Sequence, residues 1–120
     1  MKTWEVAKKW KDMCNQGKNL ECINELYAEN VVSKEMPGMP GEVISGRQNV
    51  WNKSKQWLES VENFHSSSIS EPIVAGNFFT AKMDFDCTFK ERGRQKMEEV
   101  CVYEVKDGKI ASEQYFYSMD

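Results

Sequence analysis

The stretch Val100–Tyr117, VCVYEVKDGKIASEQYFY, decides how the chain is read. Val, Ile, Tyr and Phe dominate it, and they suit a pleated, half-buried strand. Asp107-Gly108 divides it, and such a pair supplies the positive φ angles of a tight two-residue hairpin turn. The stretch is a β-hairpin. Side chains two apart share a strand face. Glu99, Cys101, Tyr103 and Val105 therefore line one face of the first arm. Ala111, Glu113, Tyr115 and Tyr117 line one face of the second.

Upstream, two more turn signals, Gly76-Asn77 and the looser ERGR at 91–94, separate segments of the same character. They give four antiparallel strands, near 64–75, 78–90, 95–106 and 109–118. Before them the apolar period changes to that of a helix. Val6, Ala7, Trp10, Met13 and Cys14 form one stripe, with Thr3 as cap and Glu5 in the first turn. A shorter helix follows, capped by Asn19 and apolar at Leu20, Ile23, Leu26 and Tyr27. A third begins at Ser45, with Gln48 completing a capping box, and carries Val50, Trp51, Ser54, Trp57, Leu58 and Val61. Between the last two lies YAENVVSKEMPG, 27–38, an extended segment that places Glu35 just before a Pro/Gly-rich loop. Helices first and a meander after predict an α+β fold with helices on one sheet face. At 120 residues the chain is expected to form one domain, 1–120.

Composition narrows the function. With 40% hydrophobic and 29% charged residues and a net charge of −3, both signs scattered, the chain lacks the concentrated basic face that nucleic acid requires. Its one basic run, Lys90–Lys96, is interrupted by Glu91, Gly93 and Gln95. No apolar run approaches the roughly 20 residues of a membrane span, and MKTWEVAKKWKD has no apolar signal region. A cytoplasmic location without a membrane partner is expected. Cys14, Cys22, Cys87 and Cys101 form no C-x-x-C pair and read as free thiols. One His and four dispersed Cys give no metal spacing. No Gly-rich phosphate loop implies a nucleotide, so no cofactor is expected.

Three pieces, NLECINELYAENVV (19–32), ISGRQNVWNKSKQW (44–57) and the final hairpin, resemble the SnoaL-like polyketide cyclases and ketosteroid isomerases of the NTF2-like superfamily. The resemblance covers residues 3–118. It implies a cone fold: three N-terminal helices packed on a curved, mostly antiparallel sheet of four to six strands, enclosing a small-molecule pocket. It also implies a homodimer packed through the convex sheet face, here Met83, Phe85, Val100 and Val102, unless those residues are core and the faces are inverted. In the isomerase branch a strand Asp is the general base, and its position falls on Glu35. The branch's oxyanion-hole Tyr and neutral Asp fall on Trp10 and Cys101. Indole and thiol are poor substitutes for those donors, so steroid isomerase chemistry is not implied.

What replaces that trio is read from strand alternation. A tip at Arg92-Gly93 sets Asp86 opposite Glu99. A half-buried carboxylate pair raises one pKa and yields a donor beside an acceptor, as acid/base chemistry needs. The alternative is a register off by one, or a solvated pair neutralised by Arg92, Arg94 or Lys96. Glu113, in mid-strand, must face water, a partner or a cavity. Glu35 is a pocket carboxylate or a surface partner of a basic residue such as Lys34. His65 is a general base or an exposed histidine. Glu113, Glu35, Asp86, Glu99 and His65 are the catalytic candidates. Trp10, Trp51, Trp57, Cys101, Tyr103, Tyr115 and Tyr117 are the candidate pocket wall. The expected activity is cofactor-free proton transfer on a small, partly apolar carbonyl compound, with isomerisation, cyclisation or dehydration as outcome. The alternative is a non-catalytic ligand-binding or dimerisation module.

Overall fold

The computed structural model describes residues 1–118. Helix α1 spans Thr3–Asn15 and α2 spans Asn19–Leu26. Strand β1, Tyr27–Lys34, and a short β2, Val43–Ser45, come before helix α3, Arg47–Ser60. Then follow β3 (Val61–Ile69), β4 (Ile73–Ala75), β5 (Phe78–Phe89), β6 (Gly93–Lys106) and β7 (Lys109–Phe116). The α+β class holds, with two corrections. The sheet has seven strands rather than four to six, and the third helix follows two strands rather than preceding the sheet.

The helix starts also differ from expectation. Lys2, not Thr3, caps α1, and its backbone N–H donates to Glu5 Oε1 at 2.9 Å. Lys18 precedes α2 without a side-chain cap. Ser45 ends β2, and Gly46, at φ 95°, turns the chain into α3. That conformation favours glycine, so backbone geometry does the work that the Ser45–Gln48 box was expected to do. Tyr27, placed on the second helix by its apolar period, instead opens β1. The first predicted meander strand is split into β3 and β4 around Pro72, which cannot donate to a ladder.

The strands run in the order β2-β1-β7-β6-β5-β3, with β4 beside β5. All neighbours are antiparallel except β1 and β7, which are parallel. The Asp107-Gly108 turn forms as expected, with φ of 52° and 74°. The β5–β6 hairpin does not. Its loop is Lys90–Arg92, three residues, closed by Phe89 opposite Gly93. Met83 therefore faces Glu99, Ala81 faces Cys101, and Asp86 faces Lys96. The register shift is odd, so it inverts the face assigned to every β5 side chain.

One sheet face packs under the helices. Its core joins Val6, Ala7 and Trp10 of α1, Cys22, Ile23 and Leu26 of α2, and Val50 of α3 to Phe79, Ala81, Tyr103, Val105 and Ile110. Trp10 packs at a tilt against both Phe79 and Tyr103, at centroid distances of 5.4 and 4.8 Å. Tyr103 and Phe79 stack at 4.7 Å. All four cysteines are free. No helix among the described residues is long and apolar enough to cross a membrane. Truncating Trp10 removes the side chain that joins α1 to the sheet. Trp10→Ala is expected to lower stability by about 3–5 kcal/mol, read as a drop in the urea midpoint at unchanged slope.

Candidate functional site

The inner face can be followed row by row. Ser33, Glu113, Tyr103 and Phe79 are consecutive neighbours across β1, β7, β6 and β5. In the next row Tyr115, Cys101 and Ala81 are neighbours, and Glu35 falls one step past the last β1–β7 pair. In the third, Glu99 pairs with Met83, and Tyr117 lies one step past Phe116. The first row is dry. Exposure rises toward the third row, where Glu99 and Tyr117 are half-buried. Ala81 and Cys101, in the middle row, are both buried in the core.

Glu113 is 3% exposed. The hydroxyl of Ser33 donates to its Oε2 at 2.6 Å, and that of Tyr27 donates to Oε1. Tyr115, on the same strand and face, lies close enough to lower its proton affinity. Burial raises its proton affinity, and the three hydroxyls oppose the rise. A carboxyl so enclosed holds strands together and presents no free oxygen to a ligand.

Glu35 sits nearer the surface. Lys53 of α3 binds its Oε1 at 2.8 Å, and the Tyr117 hydroxyl donates to Oε2 at 2.9 Å. Tyr117 is pushed up to about 12 by burial and by this bond. Lys53 Nζ also lies 5.9 Å from the Tyr115 ring centre. Glu99 has no ion-pair partner among the described residues. Burial, and then the charge of Glu35, raise it to about 7 from 4.5. Its one hydrogen-bonding contact among the described residues is the Cys101 thiol, 3.9 Å away, whose single S–H is shared with Met83 Sδ at 3.0 Å. Burial, and then Glu99, push that thiol far up, so it stays protonated.

The other candidates lie elsewhere. Asp86 is on the outer face, bound by Arg94 at 2.8 and 3.0 Å, and that bond holds it below the usual carboxylate range. His65 is exposed on β3, with Nε2 2.7 Å from Thr88 Oγ1. The Asp86–Glu99 pairing is thus replaced by a Glu35–Glu99 approach. Trp10 and Tyr103 are core. Trp57 packs on Phe64, Phe85 and Phe89. Trp51 is half-buried beneath Lys55, with its Nε1 buried and unpartnered. Sequence reading missed Tyr27, Ser33 and Lys53. Ser33 stands two residues before Glu35, and Lys53 falls three after Val50 and four before Trp57, on a buried helical stripe.

A groove of about 670 Å³ lies on the other side of the sheet, where β1 bulges from β7 between Tyr27 and Val32. It contains Lys34, Arg47 and Lys109 and none of Glu35, Glu99 or Glu113. Converging carboxyl groups, not concavity alone, mark the inner site. Among the described residues no three His, Cys, Asp or Glu side chains gather as a metal group.

The model of the SnoaL-like domain family matches residues 1–117. The chain belongs to that family. A search of curated proteins gives no significant match. Among solved structures, a Mesorhizobium loti protein described as a candidate SnoaL-like polyketide cyclase (and, in brackets, carbohydrate phosphatase) is 34% identical. The match covers 98% of this chain and all of that one, with a TM-score of 0.92. A Xanthomonas campestris protein of unknown function with a cystatin-like fold shares 18% identity over 98% of this chain and 92% of its own, at TM-score 0.82. A Catenulispora acidiphila protein with a ketosteroid isomerase-like fold, solved with trimethylamine, shares 18% over 96% and 86%, at TM-score 0.76. Within this SnoaL-like chain Glu35 is held by Lys53 and Tyr117, and Glu99 is the inward acid without an ion-pair partner among the described residues.

Glu99 also makes the stability of this SnoaL-like domain depend on pH. Its folded pKa lies above its unfolded value, so the folded state binds the extra proton between about 4.5 and 7. Stability then falls as pH rises through that window, by up to about 3 kcal/mol. Glu99→Gln is expected to remove this fall, measured as urea midpoints at pH 5 and pH 8. A wild-type stability that rises between the two would contradict the assignment.

Proposed function

We propose that the chain binds a small, partly apolar carbonyl compound on the inner face and moves a proton on it without a cofactor. Glu99 carries the reading. A half-buried carboxyl that titrates near 7 and touches no cation offers both the acid and the base form at neutral pH. As a carboxylate Glu99 removes a C–H proton beside the carbonyl and leaves an enolate, and the acid so formed then returns that proton to the enolate at its oxygen or at another carbon. Lys53 and Tyr117 fix Glu35, whose charge sets the proton affinity of Glu99. Cys101, Met83 and Tyr115 supply a soft wall. Glu113 acts through Tyr115 and β1 and positions the site rather than reacting. Isomerisation, cyclisation and dehydration all begin with such a transfer.

The binding-only reading is favoured by one observation: the two oxyanion donors of the isomerase branch are an indole and a thiol here. The Catenulispora relative, solved with trimethylamine, supports small-ligand binding by this fold. A homodimer belongs to either reading. Its surface is the outer sheet face at Phe78, Val100 and Phe116, exposed by 49%, 45% and 44%. Met83 and Phe85, expected on that surface, face inward instead.

The test is proton exchange in D2O. Cyclohexanone and 2-cyclohexenone are followed by NMR for loss of C–H signal beside the carbonyl. Wild type is expected to accelerate exchange, and Glu99→Gln to slow it by about 10²–10⁴-fold. Glu35→Gln is expected to shift the pH optimum downward, because Glu99 loses the charge that raises it. Bound ketone with no exchange above buffer would leave the binding module as the function.

A further inference from the structure

We propose that the outer groove, on the sheet face opposite Glu99, binds a small organic anion whose carboxylate or phosphoryl group is held by Arg47, Lys34 and Lys109. This goes beyond the inner site and does not depend on its chemistry. The groove holds about 670 Å³, within the range of small-molecule sites. It exists because the parallel ladder is interrupted. From the pair Tyr27–Ile110 to the pair Val32–Ser112, β1 advances five residues and β7 advances two. The surplus residues bow β1 away from β7. Val32 and Ala111 give the hollow a short apolar patch, and Asn30 and Ser112 give it neutral hydrogen-bonding groups.

Two of its cations are anchored. Arg47, half-buried at the start of α3, donates from Nη1 to the Tyr27 carbonyl at 3.4 Å. Lys109, at the start of β7, donates from Nζ to the Glu25 carbonyl at 2.7 Å. These carbonyls stand two residues apart, where α2 hands over to β1, so both charges are tethered to one part of the groove wall. A carbonyl carries no net charge and neutralises neither cation. Lys34 stands exposed on the outer side of β1 and lines the same groove. Among the described residues, no carboxylate forms an ion pair with Arg47, Lys34 or Lys109. One long bond leaves most of the five guanidinium N–H donors unspent. Their planar fork matches a carboxylate or phosphoryl group through two parallel bonds.

The groove also contains acids. Glu104 is taken by Lys106, at 4.0 Å. Glu29 and Asp107 are exposed and leave the three cations unpaired. Positive charge thus stays in excess here, on a chain whose net charge is −3. Positive charges fixed near one another repel, and an anion placed between them relieves the repulsion. A cationic ligand would meet two tethered charges of its own sign. A neutral ligand would leave them uncompensated.

Four probes of similar size separate the cases: sodium propionate, monoethyl phosphate, 1-propanol and propylammonium chloride. Each is titrated into the full chain at constant ionic strength and followed by the amide NMR shifts of Asn30, Ala111 and Ser112. One of the two anions is expected to bind about tenfold tighter than the alcohol and the ammonium, and the tighter anion names the ligand group. Arg47→Gln is expected to weaken that anion about tenfold. Arg47→Lys, which keeps the charge and loses the fork, should recover only part of the loss. Lys34→Gln is expected to weaken binding roughly threefold, and it carries the test if Arg47→Gln does not fold. Lys18→Gln removes a positive charge outside the groove and should change nothing. The inference is overturned if propanol or propylammonium binds as tightly as the anions, or if Lys18→Gln weakens binding as much as Lys34→Gln. Absence of shifts at the groove amides with every probe also overturns it.

Discussion

A carboxyl group buried to 3% exposure with no cation in contact organises this molecule. Left alone there, Glu113 would cost several kcal/mol. Hydroxyl donors from Tyr27 and Ser33 offset that cost, and both come from β1. The network therefore specifies which strand lies beside β7, in which direction and in which register. Ser33 must pair with Glu113, and in the parallel ladder it does. Antiparallel hairpins form through their own turns. The β1–β7 contact joins segments some 80 residues apart and has no turn to guide it. The hydroxyl–carboxyl cluster supplies that guidance, since a slip of one residue would strand a buried acid.

The same alternation that buries Glu113 exposes its neighbours by degrees. Along β7 the inward residues are Glu113, Tyr115 and, just past the strand, Tyr117. Along β6 they are Tyr103, Cys101 and Glu99. Moving toward Glu99, the side chains pass from stacked aromatics to a small thiol to an acid. One strand period thus carries the chain from core to site with no change in backbone geometry. The helices reinforce the gradient. Trp10 seals the dry end, while α3 brings Lys53 to the open end.

Much of this was legible in the sequence. The Asp107-Gly108 turn and the alternation on both arms of the final hairpin placed Glu99, Cys101, Glu113 and Tyr115 on one face. The β5 face was not legible, for a local reason. Gly93, at φ 75°, opens β6 rather than ending the turn, so the loop is Lys90–Arg92. One residue of turn length decides parity, and parity decides whether Asp86 points into the site or out to Arg94. Lys53 was missed because a helical stripe is searched for apolar residues, and a lysine with an apolar stem passes as solvated. Tyr27 was missed because its place in the 3.6-residue pattern of α2 hides the start of β1.

Glu35 and Glu99 are coupled electrostatically across the sheet. Glu35 is paired with Lys53, and a pair at 2.8 Å is close to neutral when viewed from afar. Glu99 does not view it from afar. The charge of Glu35 raises its proton affinity more than the charge of Lys53 lowers it. On β6, Glu99 lies two residues before Cys101, on the same face, and its proton affinity is raised by burial and then by the charge of Glu35 at the end of β1. The proton affinity of the site is therefore set across three elements, and any ligand that displaces Lys53 from Glu35 changes the acid on β6 without touching it.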